Sequence, residues 1–303
     1  MSVDRDRIRD LYPWESHWLE RGPLKMHYLD EGEGETLVLL HGNPTWSFFW
    51  RHLVEGLSGS YRTIVPDHIG MGLSDKPGDD QYNYTLESRV DDVEALLDHL
   101  DVRKDLTLVL HDWGGMIGLA FAMRHRARIK RLILLNTAGF RLPQGRSLPW
   151  QLKLIKRLPF AVPVRGFNAF CRGAARGCST RKGRMTPAIR DAYLAPYDSW
   201  ANRIAIHRFV QDIPLAEGDP AWDIVRGVEE DLSFFDSLPV QIHWGCKDFV
   251  FDMHFLQEWR RRLPRAEVHT FDDCGHYVLE DAHEEITPLV RDFLARHPLE
   301  ASP

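Results

Sequence analysis

The stretch 106–115, LTLVLHDWGG, decides the fold of this chain. It opens with LTLVL, an apolar run of strand length, and Asp112 follows just after that run ends. Gly114 and Gly115 then open a helical segment, where the missing side chains let a helix approach a strand closely. This order predicts a sharp turn from strand to helix, with the Asp112 side chain presented at the carboxyl end of a buried strand.

Further apolar runs of strand length lie on both sides of this turn, at residues 36–40 (TLVLL), 63–66 (TIVP), 129–135 (IKRLILL), 240–244 (VQIHW) and 268–271. Segments with the period of an amphipathic helix separate them, at residues 84–100, 255–263 and 284–294. Strands that alternate with helices indicate parallel strands joined by crossover helices. The chain is therefore predicted to be an α/β protein with a mostly parallel central sheet flanked by helices.

The alternation of strands and helices is interrupted once. It lapses after Phe140, in a region rich in Arg, Pro, Gly and aromatic residues, and resumes at Val240. The simplest arrangement is a core domain formed from both ends of the chain, at residues 1–139 and 229–303. A helical cap domain of residues 140–228 would then be inserted into it.

The composition is that of an ordinary globular enzyme, since 44% of the 303 residues are apolar and 27% are charged. No apolar run approaches the roughly 20 residues that span a bilayer, and the first residues, MSVDRDRIRD, are too charged for a secretory signal. Four cysteines without CxxC spacing predict free thiols in a reducing compartment. We expect a cytoplasmic enzyme that uses no metal or other cofactor.

Residues 141–190, called the basic segment below, carry an unusual charge. They contain twelve Lys or Arg and no acid, which leaves a net charge of −18 on the rest of the chain. The basic residues could form a solvated helix face, or they could contact an acidic protein, an anionic membrane surface or a second copy of the chain. Self-association is favoured, because opposite charges on one chain attract in a head-to-tail contact. Nucleic acid is not an expected partner, given the acidic remainder.

Two other strand ends carry the side chains that a covalent carboxylate mechanism needs. Asp248 follows the VQIHW strand, and His276 follows the next strand along the chain. Nucleophile, acid and base thus occur in the order used by enzymes with this turn, with Asp112 as nucleophile. Each residue alone has an ordinary interpretation: Asp112 could cap a helix, and a loop Asp or His is often solvated. The three together, at three strand ends, favour catalysis.

The loop after the TLVLL strand, HGNPT at 41–45, supplies the fourth part of this site. It stands where such enzymes place the second donor of an oxyanion hole, so the backbone N–H groups of Asn43 and Trp113 are the predicted pair. A loop that contains proline is also typical of a plain turn.

Five motifs resemble the haloalkane dehalogenases, namely HGNPTW (41–46), DHIGMGLSDKP (67–77), HDWGG (111–115), GCKD (245–248) and CGHY (274–277). The resemblance covers nearly the whole chain and implies the α/β-hydrolase fold with an inserted helical cap. Some members of the family place the catalytic acid after the strand that precedes the cap. This chain has Asn136 there, so the resemblance assigns the acid to Asp248.

The resemblance implies a role for each motif residue. Asp112 would displace halide from an alkyl carbon and form an ester, with Asn43 and Trp113 binding the departing halide. His276, oriented by Asp248, would activate the water that hydrolyses the ester. The first expectation is therefore a haloalkane dehalogenase that releases alcohol and halide from a small apolar substrate.

The region between the two core segments bears a second resemblance. LPW (148–150), RGFNAF (165–170), APYDSW (195–200) and RFVQDIP (208–214) are similar to the β-lactone decarboxylases of bacterial olefin biosynthesis. Those enzymes are built on the same Asp, His and Asp set, so β-lactone decarboxylation is the alternative activity.

Two further interpretations stay open at this point. An epoxide hydrolase would also use an Asp nucleophile and would need tyrosines to protonate the opening oxygen, and Tyr193 and Tyr197 lie one helical turn apart. A non-catalytic binding protein on the same scaffold is the other, although an intact nucleophile, base and acid argue against it.

Overall fold

The computed structural model describes residues 8–156 and 161–299. Its strands are β1 (His17–Arg21), β2 (Leu24–Glu31), β3 (Thr36–Leu40), β4 (Arg62–Pro66), β5 (Leu106–Asp112), β6 (Ile129–Thr137), β7 (Val240–Gly245) and β8 (Glu267–Phe271). They form one sheet in the order β1-β2-β4-β3-β5-β6-β7-β8. Pairing is antiparallel for β1 with β2 and β2 with β4, and parallel for all other neighbours. The predicted α/β architecture with a mostly parallel sheet is confirmed.

Helices cover both faces of the sheet. Those encoded outside the stretch between β6 and β7 are α1 (Arg51–Leu57), α2 (Leu86–His99), α3 (Trp113–Arg124), α9 (Met253–Arg262) and α10 (Val278–Arg296). All seven residues of β5 are buried, as expected for a central parallel strand covered on both faces. Helix α2 begins where Thr85 accepts a hydrogen bond from the backbone N–H of Ser88, which is an ordinary N-cap.

Five helices lie between β6 and β7 along the chain: α4 (Trp150–Lys156), α5 (Ala169–Gly177), α6 (Pro187–Leu194), α7 (Ile204–Gln211) and α8 (Trp222–Glu230). Helix α8 packs against α3 of the sheet layers. The predicted boundary between residues 228 and 229 falls inside α8, and the division into core and cap domains stays a prediction. Within residues 8–156 and 161–299, no helix is long and apolar enough to cross a membrane.

Four arginines of the basic segment pair with acids encoded after it. Arg141 pairs with Glu229, Arg146 with Asp252, Arg181 with Asp273 and Glu285, and Arg184 with Glu284. Lys156 also pairs with Asp219, so five of the twelve basic residues are matched within the same chain. Arg157 belongs to the segment but lies outside the described residues.

The order of the strands explains where the predicted site residues lie. Because β3, β5, β7 and β8 run parallel, their carboxyl ends meet at one edge of the sheet. Asn43, Asp112, Asp248 and His276 each lie at or just after one of these four strand ends. The fold thus brings together at one edge residues that are up to 233 positions apart in the sequence.

Candidate active site

The turn between β5 and α3 has the sharp geometry that the sequence predicts. Asp112 has φ 51° and ψ −125°, a conformation that side chains with a Cβ rarely adopt. A Cβ atom on Gly114 would lie 1.9 Å from the carbonyl oxygen of Leu40, and one on Gly115 would lie 1.8 Å from Oγ1 of Thr137. Glycine is therefore required at both positions, because α3 starts in direct contact with the neighbouring strands.

The Asp112 carboxylate faces the loop after β3. Its Oδ1 accepts a hydrogen bond of 2.7 Å from the backbone N–H of Asn43. It makes no capping hydrogen bond to α3, so the simple helix-cap interpretation does not describe it. A Cβ atom on Gly42 would lie 2.0 Å from the same oxygen, which shows how closely the loop approaches the carboxylate.

His276 lies between two carboxylates. Its Nδ1 is 2.7 Å from Oδ2 of Asp248, and its Nε2 is 3.7 Å from Oδ2 of Asp112. The other oxygen of Asp248 accepts hydrogen bonds from the backbone N–H groups of Val250 and Phe251, which fix this carboxylate in place. The structure therefore brings the three predicted catalytic side chains into one connected group.

Burial and charge shift the pKa values of this group. Burial raises the pKa of Asp112 above its ordinary value, against the opposing effects of His276 and of the N–H groups of Asn43 and Trp113. Burial alone would lower the pKa of His276. The negative charge of Asp248, its hydrogen bond and the charge of Asp112 outweigh burial, so the net pKa of His276 is raised. The two neighbouring carboxylates thus favour the protonated form of the His276 imidazole.

The two predicted anion donors are held by α7. The side-chain amide of Asn43 donates a 3.1 Å hydrogen bond to the carbonyl oxygen of Ile206, which leaves its second N–H for another acceptor. The Trp113 ring lies edge-on to the ring of Phe209, with centroids 5.3 Å apart. Among the described residues, no acceptor lies within hydrogen-bonding distance of the indole N–H of Trp113.

A cavity of about 610 Å³ opens onto Asp112, Trp113, Asn43 and His276. This size is typical of sites for small organic ligands. Its walls are mostly apolar and come from α4, α5 and α9 and from the segments next to α4 and α5. They include Phe140, Leu148, Leu152, Val164, Phe170 and Phe255. The arrangement can hold an apolar molecule with its reactive carbon against the Asp112 carboxylate.

The two tyrosines considered for an epoxide hydrolase have other partners. The hydroxyl of Tyr193 donates to Glu280 at 2.5 Å, and that of Tyr197 donates to the carbonyl oxygen of Thr45 at 3.2 Å. Both side chains are buried outside the walls of the cavity. Neither hydroxyl is placed to protonate an opening epoxide.

Asn136 also has a structural partner. Its side chain bonds both the N–H and the carbonyl oxygen of Gly245, at 2.8 and 3.1 Å, and so ties the end of β6 to the end of β7. Asp248, and no group at position 136, is the carboxylate bonded to Nδ1 of His276.

Sequence reasoning missed several residues that support the site. Nε2 of His111 donates a 2.9 Å hydrogen bond to the backbone carbonyl oxygen of His276, and Ile206 and Phe209 of α7 contact the anion donors. The motif HDWGG contained His111, so its position before Asp112 was an available signal. The contacts of α7 join residues more than 90 positions apart, and no local pattern indicates them.

A model of the alpha/beta hydrolase fold family matches residues 35–283 of the chain. The chain therefore belongs to this family. Its relatives are enzymes, which places it among the enzymes of the hydrolase class and removes the non-catalytic interpretation.

Two relatives share about half of their residues with the chain. A cis-3-alkyl-4-alkyloxetan-2-one decarboxylase of Shewanella oneidensis is 51% identical, over 94% of this chain and 89% of that protein. A decarboxylase of the same name from Xanthomonas campestris pv. campestris is 52% identical, over 92% of this chain and 95% of that protein. A haloalkane dehalogenase of Mycolicibacterium paratuberculosis is more distant, at 31% identity over 92% of each protein.

Several haloalkane dehalogenases are among the solved structures that are similar to this one. DatA of Agrobacterium tumefaciens superposes with a TM-score of 0.82 at 25% identity, covering 94% of this chain and 97% of that one. The tetrameric DpaA of Paraglaciecola agarilytica gives 0.77 at 27% identity over 99% of both chains. These structures confirm the α/β-hydrolase fold and the resemblance to the dehalogenases. The sequence relatives nevertheless support the alternative activity, β-lactone decarboxylation, better than the dehalogenation expected first.

Proposed function

We propose that this enzyme decarboxylates cis-3,4-dialkyl β-lactones, with Asp112 as nucleophile. The observation that carries the proposal is the Asp112 carboxylate at the base of an apolar cavity, with neutral donors on one side and His276 on the other. The identity of about one half to two decarboxylases, over nearly the full chain, supports the β-lactone as substrate.

The first step is an attack of Asp112 on the alkyl-bearing ring carbon, C4, which is bonded to the ring oxygen and is not the carbonyl carbon. The bond from that carbon to the ring oxygen breaks, and the electron pair leaves with the oxygen as a free carboxylate on the neighbouring carbon. A carboxylate can attack an alkyl carbon without prior loss of a proton. The new anion forms where a departing halide would be, next to the N–H groups of Asn43 and Trp113, and such donors are most effective in a site that excludes water.

The second step releases carbon dioxide. The bond between the new carboxylate and its carbon breaks, its electron pair forms the carbon–carbon double bond, and the ester bond to Asp112 breaks. Asp112 returns to its carboxylate form, so no water and no external oxidant or reductant takes part. An apolar cavity favours this course, because water at the ester would divert the intermediate to a β-hydroxy acid.

In this proposal His276 acts in its protonated form. An imidazolium 3.7 Å from Asp112 stabilises the negative charge that returns to this carboxylate as the ester bond breaks. Asp248 keeps the imidazole oriented and helps it to keep the proton. The raised pKa of His276 is consistent with this role.

Dehalogenation remains a second candidate because of one observation. Asn43 and Trp113 offer two neutral N–H donors beside Asp112, which suit a departing halide as well as a carboxylate. In that reaction His276 would act in its neutral form and would activate water.

Product analysis tests the proposal. Purified enzyme is incubated with a cis-3,4-dialkyl β-lactone and, separately, with a 1-haloalkane, and alkene, carbon dioxide, β-hydroxy acid and halide are measured. We expect stoichiometric alkene and carbon dioxide from the lactone, and no turnover by Asp112→Asn, whose amide fills the same volume but does not attack. Halide release without alkene would replace the proposal by dehalogenation. Undiminished alkene formation by Asp112→Asn would remove Asp112 from the mechanism.

The proposal also covers the location of the enzyme in the cell and its association with other molecules. We infer that it works in the cytoplasm and associates with itself through the basic segment. The tetrameric dehalogenase DpaA supports association within the family. Contact of the basic segment with an acidic partner or an anionic membrane is the alternative if association fails.

A further inference from the structure

Helix α7 contacts both donors of the anion site. The carbonyl oxygen of Ile206 accepts the side-chain N–H of Asn43, and the ring of Phe209, three residues later, packs edge-on against Trp113. The same short stretch of α7 therefore meets both donors, through a main-chain oxygen at Ile206 and a side chain at Phe209. Any shift of α7 would therefore move the Asn43 amide and the Trp113 indole together.

A buried ion pair fixes the C-terminal end of this helix. Arg89 of α2 has no exposed side-chain surface, and it donates to Oδ2 of Asp212, the C-cap residue that follows α7, at 2.7 Å. A second N–H of Arg89 donates to the carbonyl oxygen of Tyr84 at 3.0 Å. The guanidinium also lies over the ring of Phe209, 3.7 Å from its centroid, and 5.5 Å from that of Trp113.

This ion pair is poorly suited to stabilising the fold. Both charged groups are buried away from water. Within the described residues, Nε of Arg89 and Oδ1 of Asp212 have no hydrogen-bond partner. The desolvation penalty of such a pair can exceed its Coulombic gain, and apolar replacements are often at least as stable. The pair does fix the orientation of α7 relative to α2, because the planar guanidinium binds the Asp212 carboxylate and stacks on Phe209 at the same time.

From these contacts we infer that Arg89 is a positioning residue of the anion site. It holds α7 through Asp212 and Phe209, and α7 in turn holds the amide of Asn43 and the indole of Trp113. The inference rests on the proposed role of these two donors in receiving the anion that leaves during the first step. Arg89 touches neither substrate nor the reacting atoms in this scheme.

Bromide binding tests the inference without any turnover. Bromide is titrated against the enzyme by quenching of tryptophan fluorescence, with Trp113→Phe as the blank for quenching at other tryptophans. In Arg89→Met we expect the bromide Kd to rise about fivefold to tenfold, which corresponds to one displaced neutral hydrogen bond. With the lactone, kcat should fall while KM changes little, because the anion forms only after the ring opens.

Arg131→Met is the matched control. Arg131 is also a fully buried arginine in an ion pair, with Glu35 at 2.5 Å, but it lies at the amino end of β6, far along the strand from the catalytic edge. We expect this variant to lose thermal stability and to keep the bromide Kd of the wild type. If Arg89→Met does not fold, Phe209→Leu takes its place, because it keeps the ion pair and removes the ring between Arg89 and Trp113.

The outcomes separate this inference from the proposed function. A bromide Kd in Arg89→Met and Phe209→Leu equal to that of the wild type, with only the melting temperature lowered, would overturn the inference and leave the function intact. If the wild-type enzyme forms alkene but shows no Trp113-dependent bromide binding, Asn43 and Trp113 do not form an anion site, and this inference is overturned as well. A selective rise in Kd, absent from Arg131→Met, supports the positioning role.

Discussion

Gly42 determines, at the scale of single residues, how closely the loop after β3 can approach the Asp112 carboxylate. A methyl group at this position would stand 2.0 Å from Oδ1 of Asp112 and 2.3 Å from its Cβ. The loop would have to retreat, and with it the backbone N–H of Asn43 that now bonds the carboxylate at 2.7 Å. Gly42 has no reactive group, but in the proposed reaction it is needed because it lets the N–H of Asn43 reach the Asp112 carboxylate.

We predict that Gly42→Ala lowers kcat by about a hundredfold, since a displacement of about 1 Å at the reacting atoms has effects of this size. The measurement is lactone turnover, with Gly227→Ala as control. A Cβ atom at Gly227, in α8, meets nothing within 4 Å, so that variant should keep full activity and gain up to about 1 kcal/mol of stability. Equal activity of the two variants would show that the loop tolerates the shift.

The pH dependence of turnover follows from two raised pKa values. Asp112 must be ionised to attack, so activity falls as the pH drops through a pKa that burial raises above the ordinary 3.8. His276 must be protonated in the decarboxylation route, so activity falls again as the pH rises through a pKa that lies above the ordinary 6.5. We expect a bell-shaped profile for kcat with the lactone.

Dehalogenation predicts the opposite dependence on His276. That reaction needs the neutral imidazole, and its rate would increase as the pH rises through the same pKa. Profiles of kcat between pH 4 and 10 for lactone and haloalkane therefore distinguish the two roles. A lactone profile that keeps rising above the His276 pKa would mean that this histidine works as a base.

At the scale of elements, the local patterns of the sequence were sufficient for the parallel strands. TLVLL and VQIHW became β3 and β7 with at most one residue added, and LTLVL became β5 after extension by His111 and Asp112. The hairpin of β1 and β2 was not predicted, although Gly22 and Pro23 mark its turn. Both strands mix charged and apolar residues, and β1, at the edge of the sheet, is only partly buried, so neither strand shows a continuous apolar run.

The part of the site that sequence reasoning could not reach is the part supplied by long-range contacts. The proximity of Asp112, Asp248 and His276 could be predicted because each follows a predictable strand, and parallel strands end at a common edge. Ile206 and Phe209 lie on a helix whose sequence gives no sign of which surface it contacts. Their proximity to Asn43 and Trp113 follows from tertiary packing alone.

Asp281 joins two elements, the start of α10 and the stretch between α5 and α6. Its carboxylate accepts the hydroxyl of Ser179 at 2.6 Å and the backbone N–H groups of Thr180 and Arg181. It also accepts the N–H of Gly275, at 2.8 Å, next to His276. This residue therefore fixes the loop that carries the imidazole.

We predict that Asp281→Ala lowers the free energy of unfolding by about 3 kcal/mol, because the buried N–H of Gly275 and several part-buried donors lose their acceptor. It should also lower kcat, since His276 loses its support. Chemical denaturation and turnover assays measure both effects. Glu285→Ala is the control, because this half-exposed acid contacts only the edge of the same network through Arg181. A fully active Asp281→Ala enzyme would show that His276 is held by other contacts.

At the scale of the whole molecule, the charge of the basic segment bears on association with a second molecule. Lys153, Arg165, Arg172, Arg176, Lys182 and Arg190 have no acidic partner among the described ion pairs, whereas Arg141, Arg146, Lys156, Arg181 and Arg184 do. The unpaired cations are the ones available to a second molecule.

We predict that the enzyme associates at low ionic strength and dissociates in 1 M salt, where the Debye length is about 3 Å. Light scattering at both salt concentrations measures the mass, and Arg172→Gln combined with Arg176→Gln should reduce the low-salt mass. The double variant Arg181→Gln and Arg184→Gln, whose parent residues are already paired, should weaken the fold without the same loss of mass. A monomer at every salt concentration would reassign the basic segment to a different partner.

The stretch that runs from the end of β6 to the start of β7 departs from and returns to neighbouring strands. Such an insertion can be exchanged between homologous enzymes as a cassette, because its two junctions lie side by side on an unchanged sheet. In this enzyme an exchanged cassette would bring its own version of α7. The exchange would then change both the affinity for the leaving anion of the proposed reaction and the shape of the cavity. A single recombination event could thus alter the substrate and the leaving group together.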